Sequence, residues 1–118
     1  IPEVNFFGSG KPLRQYLFTE DLARLVLEIS QSEPLNDYFN VSNNENLEIK
    51  ELAEFIAKTF NYTGSVVFDN NIKYDGQFRK DVTSKKLVNT ITTKFTNFEN
   101  GIYLTKKWLE NNNELVIN

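Results

Sequence analysis

Ile49-Lys50-Glu51-Leu52-Ala53-Glu54-Phe55-Ile56-Ala57-Lys58-Thr59-Phe60-Asn61-Tyr62-Thr63-Gly64-Ser65-Val66-Val67-Phe68-Asp69 carries two periods in succession. Ile49, Leu52, Ala53, Ile56 and Phe60 recur at the spacing of one helical face. Asn61 follows the last of them and can close the helix in a left-handed conformation, which Asn tolerates better than most residues. Four residues later the chain turns β-branched and apolar, from Ser65 to Asp69, which predicts a strand. A helix and a strand joined by so short a turn predict a small α+β unit. The helix start is less clear, because Glu48 stands where Ser or Thr is expected.

Toward the amino terminus, Leu22, Leu25, Val26 and Ile29 repeat the helical spacing. Thr19 can cap that helix, and Glu20 and Asp21 suit the positive end of its dipole. Residues 4–7 and 15–18 predict short extended stretches, separated by the turn cluster Gly8-Ser9-Gly10-Lys11-Pro12. Residues 38–42 read as a further strand and residues 43–46 as a polar loop. Toward the carboxy terminus, residues 70–80 show neither period and predict a loop. Thr83 opens a short helix carrying Leu87. Thr96-Asn97-Phe98-Glu99 has capping-box spacing and opens a last helix through Ile102, Thr105, Trp108 and Leu109. The Asn-rich tail beyond Glu110 is expected to fray. Three main helices with short strands result, and their apolar stripes are expected to be core faces.

The 118 residues suit a single domain, and the net charge of −3 supplies no basic field for recruiting nucleic acid. No apolar run reaches the length of a membrane span. There is neither Cys nor His. That removes disulfides, thiolate nucleophiles, Cys-based zinc sites and the side chain most used for acid–base work near neutral pH. Met is absent too, and the start Ile1-Pro2-Glu3-Val4 reads as the middle of a longer protein.

Two segments could carry chemistry. In Gly8-Ser9-Gly10-Lys11-Pro12-Leu13-Arg14 the glycine spacing is that of neither the P-loop nor the dinucleotide fingerprint. Arg14, whose guanidinium can grip a phosphate in two places, is its notable member. Pairing with Glu20 or Asp21, or plain solvent exposure, is the competing reading. Tyr74-Asp75-Gly76-Gln77-Phe78-Arg79-Lys80 gathers two cations, an acid and two aromatics in one loop, which suits a diphosphate and a flat base or sugar. A solvated loop is the alternative there.

Taken in order, residues 7–23 resemble the stretch of extended short-chain dehydrogenase/reductases in which a glycine turn leads to Arg, an aromatic, and an Asp opening a helix. Val66-Val67-Phe68-Asp69 with Asp75-Gly76-Gln77-Phe78-Arg79-Lys80 resembles one narrower branch, the GDP-L-fucose synthases. Phe39-Asn40-Val41-Ser42 and Ile49-Lys50-Glu51-Leu52-Ala53 match that branch in order and spacing.

The resemblance implies a carboxy-terminal, substrate-binding part spanning residues 1–118 of a cytoplasmic, homodimeric enzyme. That enzyme would bind NADPH in a Rossmann domain outside this chain and convert GDP-4-dehydro-6-deoxy-D-mannose to GDP-L-fucose. Its cofactor and catalytic residues would all lie upstream, leaving this part inactive alone. Four substrate contacts carry over. Phe7 stands where the family commonly has Trp and so lacks an indole donor. Arg14 and Lys80 would hold the diphosphate. Asp75 would face either the guanine N–H edge or a sugar hydroxyl. Arg79 is expected to be structural or solvent-facing. A UDP-sugar enzyme of the same superfamily and a freestanding binding module are the competing readings.

Overall fold

The computed structural model describes residues 2–32 and 37–112. Its elements run β1 (Glu3–Phe6), β2 (Leu13–Arg14), α1 (Thr19–Gln31), β3 (Leu47–Glu48), α2 (Ile49–Thr59), β4 (Ser65–Phe68), a single 3-10 turn (Ile72–Tyr74), α3 (Lys85–Thr90) and α4 (Phe98–Asn111). This is the expected α+β unit. β1 pairs with β4 in parallel, Glu3 opposite Ser65 and Phe6 opposite Phe68, and the last pair stacks with ring centroids 5.1 Å apart. β2 and β3 form a two-residue antiparallel ribbon that feeds straight into α2.

Helix α2 begins where the apolar period begins. Glu48 is its cap after all. The Glu48 side chain accepts from the N3 backbone N–H, and Glu51 Oε2 accepts from Glu48 N at 2.9 Å. A carboxylate does the work expected of a hydroxyl, and both acids sit at the positive end of the helix. Asn61 is left-handed at φ 54°, as expected. At the far end of α2, Lys106 of α4 donates to the Thr59 carbonyl at 2.8 Å. Phe55 and Phe98 join the same two helices, with ring centroids 5.4 Å apart.

Several expectations need correction. Residues 38–42 form no strand. Among the described residues no neighbouring strand offers them a ladder, and backbone groups there bond to side chains, as where the Ser84 hydroxyl donates to Ser42 O at 2.7 Å. The extended pairing expected over residues 15–18 falls instead on Leu13 and Arg14. Phe18, not Thr19, holds the cap position of α1, with no side-chain cap bond. Asn97, not Thr96, caps α4, accepting from Asn100 N at 2.8 Å. Thr96 is drawn away by Asp21, to which its backbone N–H donates at 2.6 Å and its hydroxyl at 2.9 Å. Asp21 therefore ties α1 to the start of α4 from a buried position. Of the expected tail, Asn111 still belongs to α4, and residues 113–118 lie outside the described residues.

The core is thin. Leu25, Leu87 and Phe98, with Pro12, are its buried apolar side chains among the described residues. Leu22 and Val26 share the stripe of Leu25 yet remain 42% and 57% exposed, and Trp108 is 57% exposed. The expected core faces are therefore only partly covered by this chain. The molecule is a slab of 56 × 37 × 16 Å with a radius of gyration of 17.3 Å, against about 13.5 Å for a compact domain of this length. Among the described residues, no helix is long and apolar enough to cross a membrane.

Candidate functional site: a rim of two hydrogen-bonded segments

The two segments singled out in the sequence run side by side. β1 delivers the chain to Phe7 and the glycine turn, while β4 delivers its neighbour to Asp69 and the 3-10 turn. Asp69 N donates to Phe6 O at 3.0 Å, and Asn70 N to Gly8 O at 2.9 Å. Asp69 Oδ1 accepts from both Gly8 N and Asn71 N at 2.8 Å. Further along, the Phe7 and Tyr74 rings meet at 5.1 Å. Asp75 holds Ser9, Leu13 N donates to Phe78 O at 2.8 Å, and Gln15 holds Val82. Both segments advance in the same direction, so one rim has an aromatic end and a cationic end.

At the aromatic end, Phe7 is 78% exposed, and Tyr74 and Phe78 are also open to solvent. The turn below them is held by Asp75. Its Oδ1 accepts from Ser9 N at 2.7 Å and its Oδ2 from the Ser9 hydroxyl at 2.6 Å. Those two bonds, the hydroxyl's first and the N–H next, hold the Asp75 carboxyl below its ordinary pKa against a smaller opposing effect of burial, and the Lys11 charge helps. Gly8 has φ +90°, and a Cβ there would lie 2.5 Å from Asp75 Oδ1. Only glycine lets the carboxylate come so close.

At the cationic end, Arg14 and Lys80 line one cavity of about 220 Å3 together with Gln15, Leu17, Val41, Ser42 and Val82. That volume is small for a whole drug-sized ligand, whose pockets span roughly 300–1,000 Å3, and large enough for a charged group. Arg14 Nη1 donates to Leu13 O at 2.7 Å, and no carboxylate of the described residues pairs with it. The ion pair with Glu20 or Asp21 weighed from the sequence does not form. Burial raises the pKa of the neighbouring Tyr16 phenol, and the Arg14 charge partly opposes that. Arg79 pairs with Asp81 and points away from this role.

A dinucleotide does not fit the glycine turn. The helix start nearest to it, that of α2, spends its free N–H groups on protein acceptors: Lys50 N donates to Gly10 O at 2.9 Å and Ile49 N to Pro12 O at 3.1 Å. No N–H groups are left there to receive a pyrophosphate. Sequence reading missed Gln15 and Ser42 as members of the site. Their sole signal was adjacency to Arg14 for one and a polar residue in an expected strand for the other.

No family model matches the sequence. The chain is 35% identical over 105 residues to a probable GDP-L-fucose synthase from Drosophila melanogaster, covering 86% of this chain and 32% of the relative. A solved GDP-L-fucose synthetase from Naegleria fowleri superimposes with a TM-score of 0.86 at 35% identity, over 95% of this chain and 35% of that one. The same synthetase bound to NADP gives 0.83 at 34% identity, over 95% and 34%. The chain thus spans about a third of the length of the relatives it matches. By sequence and by structure, the chain belongs to the extended short-chain dehydrogenase/reductase family, with the GDP-L-fucose synthases as its relatives.

Proposed function

We propose that this chain is the GDP-sugar-binding portion, carboxy-terminal in position, of an NADPH-dependent epimerase/reductase that converts GDP-4-dehydro-6-deoxy-D-mannose to GDP-L-fucose. The observation that carries the reading is the convergence of Arg14 and Lys80 on one cavity, at the end of a rim whose other end is the Phe7–Tyr74 pair. A guanidinium and an ammonium suit the two phosphates, the first as a bidentate fork and the second as a point charge. The aromatic pair supplies a flat apolar wall for a base or a sugar ring. Phe7 would contribute its face, and Asp75 would mainly hold the turn that presents it, with oxygen lone pairs left for a guanine N–H or a sugar hydroxyl.

The chain's part in the reaction is binding and orientation. With neither His nor Cys, and with a glycine turn that does not fit a dinucleotide, we assign NADPH and the acid–base groups to the rest of a longer enzyme. The NADP-bound relative supports the use of that cofactor by the longer enzyme. We expect the intact enzyme to be a cytoplasmic homodimer, as the family resemblance implies.

The test is made on the full-length protein that carries this chain. It should consume NADPH with GDP-4-dehydro-6-deoxy-D-mannose, bind GDP in preference to UDP, and lose roughly ten- to a hundredfold in GDP affinity on Arg14→Ala or Lys80→Ala. The 118-residue chain alone should leave NADPH unconsumed. Equal affinity for UDP, or unchanged GDP affinity in both variants, refutes the assignment.

A further inference from the structure

Arg14 and Lys80 belong to segments far apart in the chain, and a shared anion requires them to stay within reach of each other. Arg14 is the last residue of β2 and is held by the β3 ladder. Lys80 lies in an irregular stretch with no ladder. Two residues before it, Phe78 O accepts from Leu13 N at 2.8 Å, a backbone bond that any sequence could make. Two residues after it, the hold is a side chain. Gln15 Oε1 accepts from Val82 N at 3.0 Å, and Gln15 Nε2 donates to Val82 O at 3.2 Å. One amide thereby occupies both backbone groups of Val82, as a neighbouring strand would.

Gln15 is itself braced. Its Oε1 also accepts from the Ser42 hydroxyl at 3.0 Å. Ser42 is buried, its carbonyl accepts from the Ser84 hydroxyl at 2.7 Å, and Ser84 is fully buried. Asn44 completes the cluster, donating to Ser84 Oγ at 2.9 Å and accepting from Ser84 N at 3.1 Å. Gln15, Ser42 and Val82 line the same cavity as the two cations. A largely buried polar cluster is thus connected through one side-chain amide to the irregular stretch that carries Lys80.

We propose that Gln15 is a positioning residue of the anion site: braced by Ser42, its amide pins Val82 and so sets Lys80 opposite Arg14. This rests on the GDP-sugar reading given above. The Gln15–Val82 bonds are exposed and compete with water, so their loss should cost a fraction of what losing Lys80 itself costs.

The experiment is a double-mutant cycle read by calorimetric titration of GDP into the full-length protein that carries this chain. Gln15→Met keeps the side-chain volume and removes both bonds to Val82. It should weaken GDP binding about three- to tenfold while Lys80 is present, and by less than about twofold in the Lys80→Ala background, with the melting temperature unchanged. An equal loss in both backgrounds would mean that Gln15 touches the ligand itself or acts through general stability. That result, like no loss at all, overturns the inference. If neither Arg14→Ala nor Lys80→Ala changes GDP affinity, the GDP-sugar reading itself has failed, and the clamp that Gln15 would set fails with it. Should Gln15→Met not fold, Ser42→Ala removes the brace, together with the hydroxyl that accepts from Asn44 N at 3.0 Å, and leaves the Gln15–Val82 bonds in place. It should give a smaller loss of the same sign that vanishes without Lys80, and an undiminished loss there counts against the proposal.

Discussion

Arg14 and Asp75 show how one side chain's surroundings decide its task. Arg14 has no carboxylate partner among the described residues and spends one N–H on the adjacent Leu13 carbonyl, so most of its fork remains available. Because an ammonium cannot reproduce that fork, Arg14→Lys should recover only part of the GDP affinity lost in Arg14→Ala, measured by the same titration. Asp75 is committed to the Ser9 hydroxyl and N–H. Those bonds favour the ionised form, so the folded-state pKa lies below that of the unfolded chain. Its contribution to holding the turn is therefore fully present above the ordinary carboxylate pKa and is lost as pH falls through the depressed value. The Ser9 amide resonance should titrate with a midpoint below that of an ordinary Asp, and Asp75→Asn should abolish the step. A midpoint at or above the ordinary value would mean that the clamp is absent in solution.

Among the elements, α4 and α3 make opposite predictions. Leu87 on α3 is fully buried, and Leu87→Ala leaves a cavity costing about 2–5 kcal/mol in a core with few other apolar members. Gly101 sits inside α4, with Phe18 as its nearest neighbour. A Cβ there would meet that ring at 3.5 Å, an ordinary contact. Gly101→Ala should therefore stabilise the fold by about 0.5–1 kcal/mol through helix propensity. Urea midpoints of the full-length protein should move down for the first variant and up for the second. A lower midpoint for Gly101→Ala would show that Phe18 needs the room. Glu48 and Asn97 carry a related lesson. Read from the sequence, Glu48 is a doubtful cap, the α1 cap falls on Thr19 rather than Phe18, and the last helix opens at Thr96, which Asp21 of another helix claims, leaving Asn97 as the cap.

At the scale of the whole molecule, the slab shape and the thin core have one consequence. Leu22, Val26, Leu104 and Trp108 are exposed together with Val4 and Phe6 of β1, which leaves apolar surface on several faces. Exposed apolar surface of this kind promotes association. The 118-residue chain produced alone should therefore self-associate as its concentration rises, seen by sedimentation, and should bind an apolar dye. The full-length protein should show neither behaviour to the same degree. A monodisperse, dye-silent chain at every concentration would show that these faces need no cover.

Local periodicity was enough to place the helices and to put β4 after α2, because helix spacing and a β-branched run are properties of neighbours in the chain. Asn61 was legible for the same reason, its left-handed turn being a local preference. The family resemblance was carried by short runs whose order lies in the sequence. Tertiary structure alone decided which part of each apolar stripe is covered. Leu25 is buried while Leu22 and Val26 on the same stripe are not, since burial depends on what packs opposite. It also decided that residues 7–15 and 74–82 advance side by side, through bonds between Ser9 and Asp75, Leu13 and Phe78, and Gln15 and Val82. Hydrogen bonds between segments so distant leave no periodic mark on either one, which is why Arg14 and Lys80 could be named from the sequence and Gln15, which links their segments, could not.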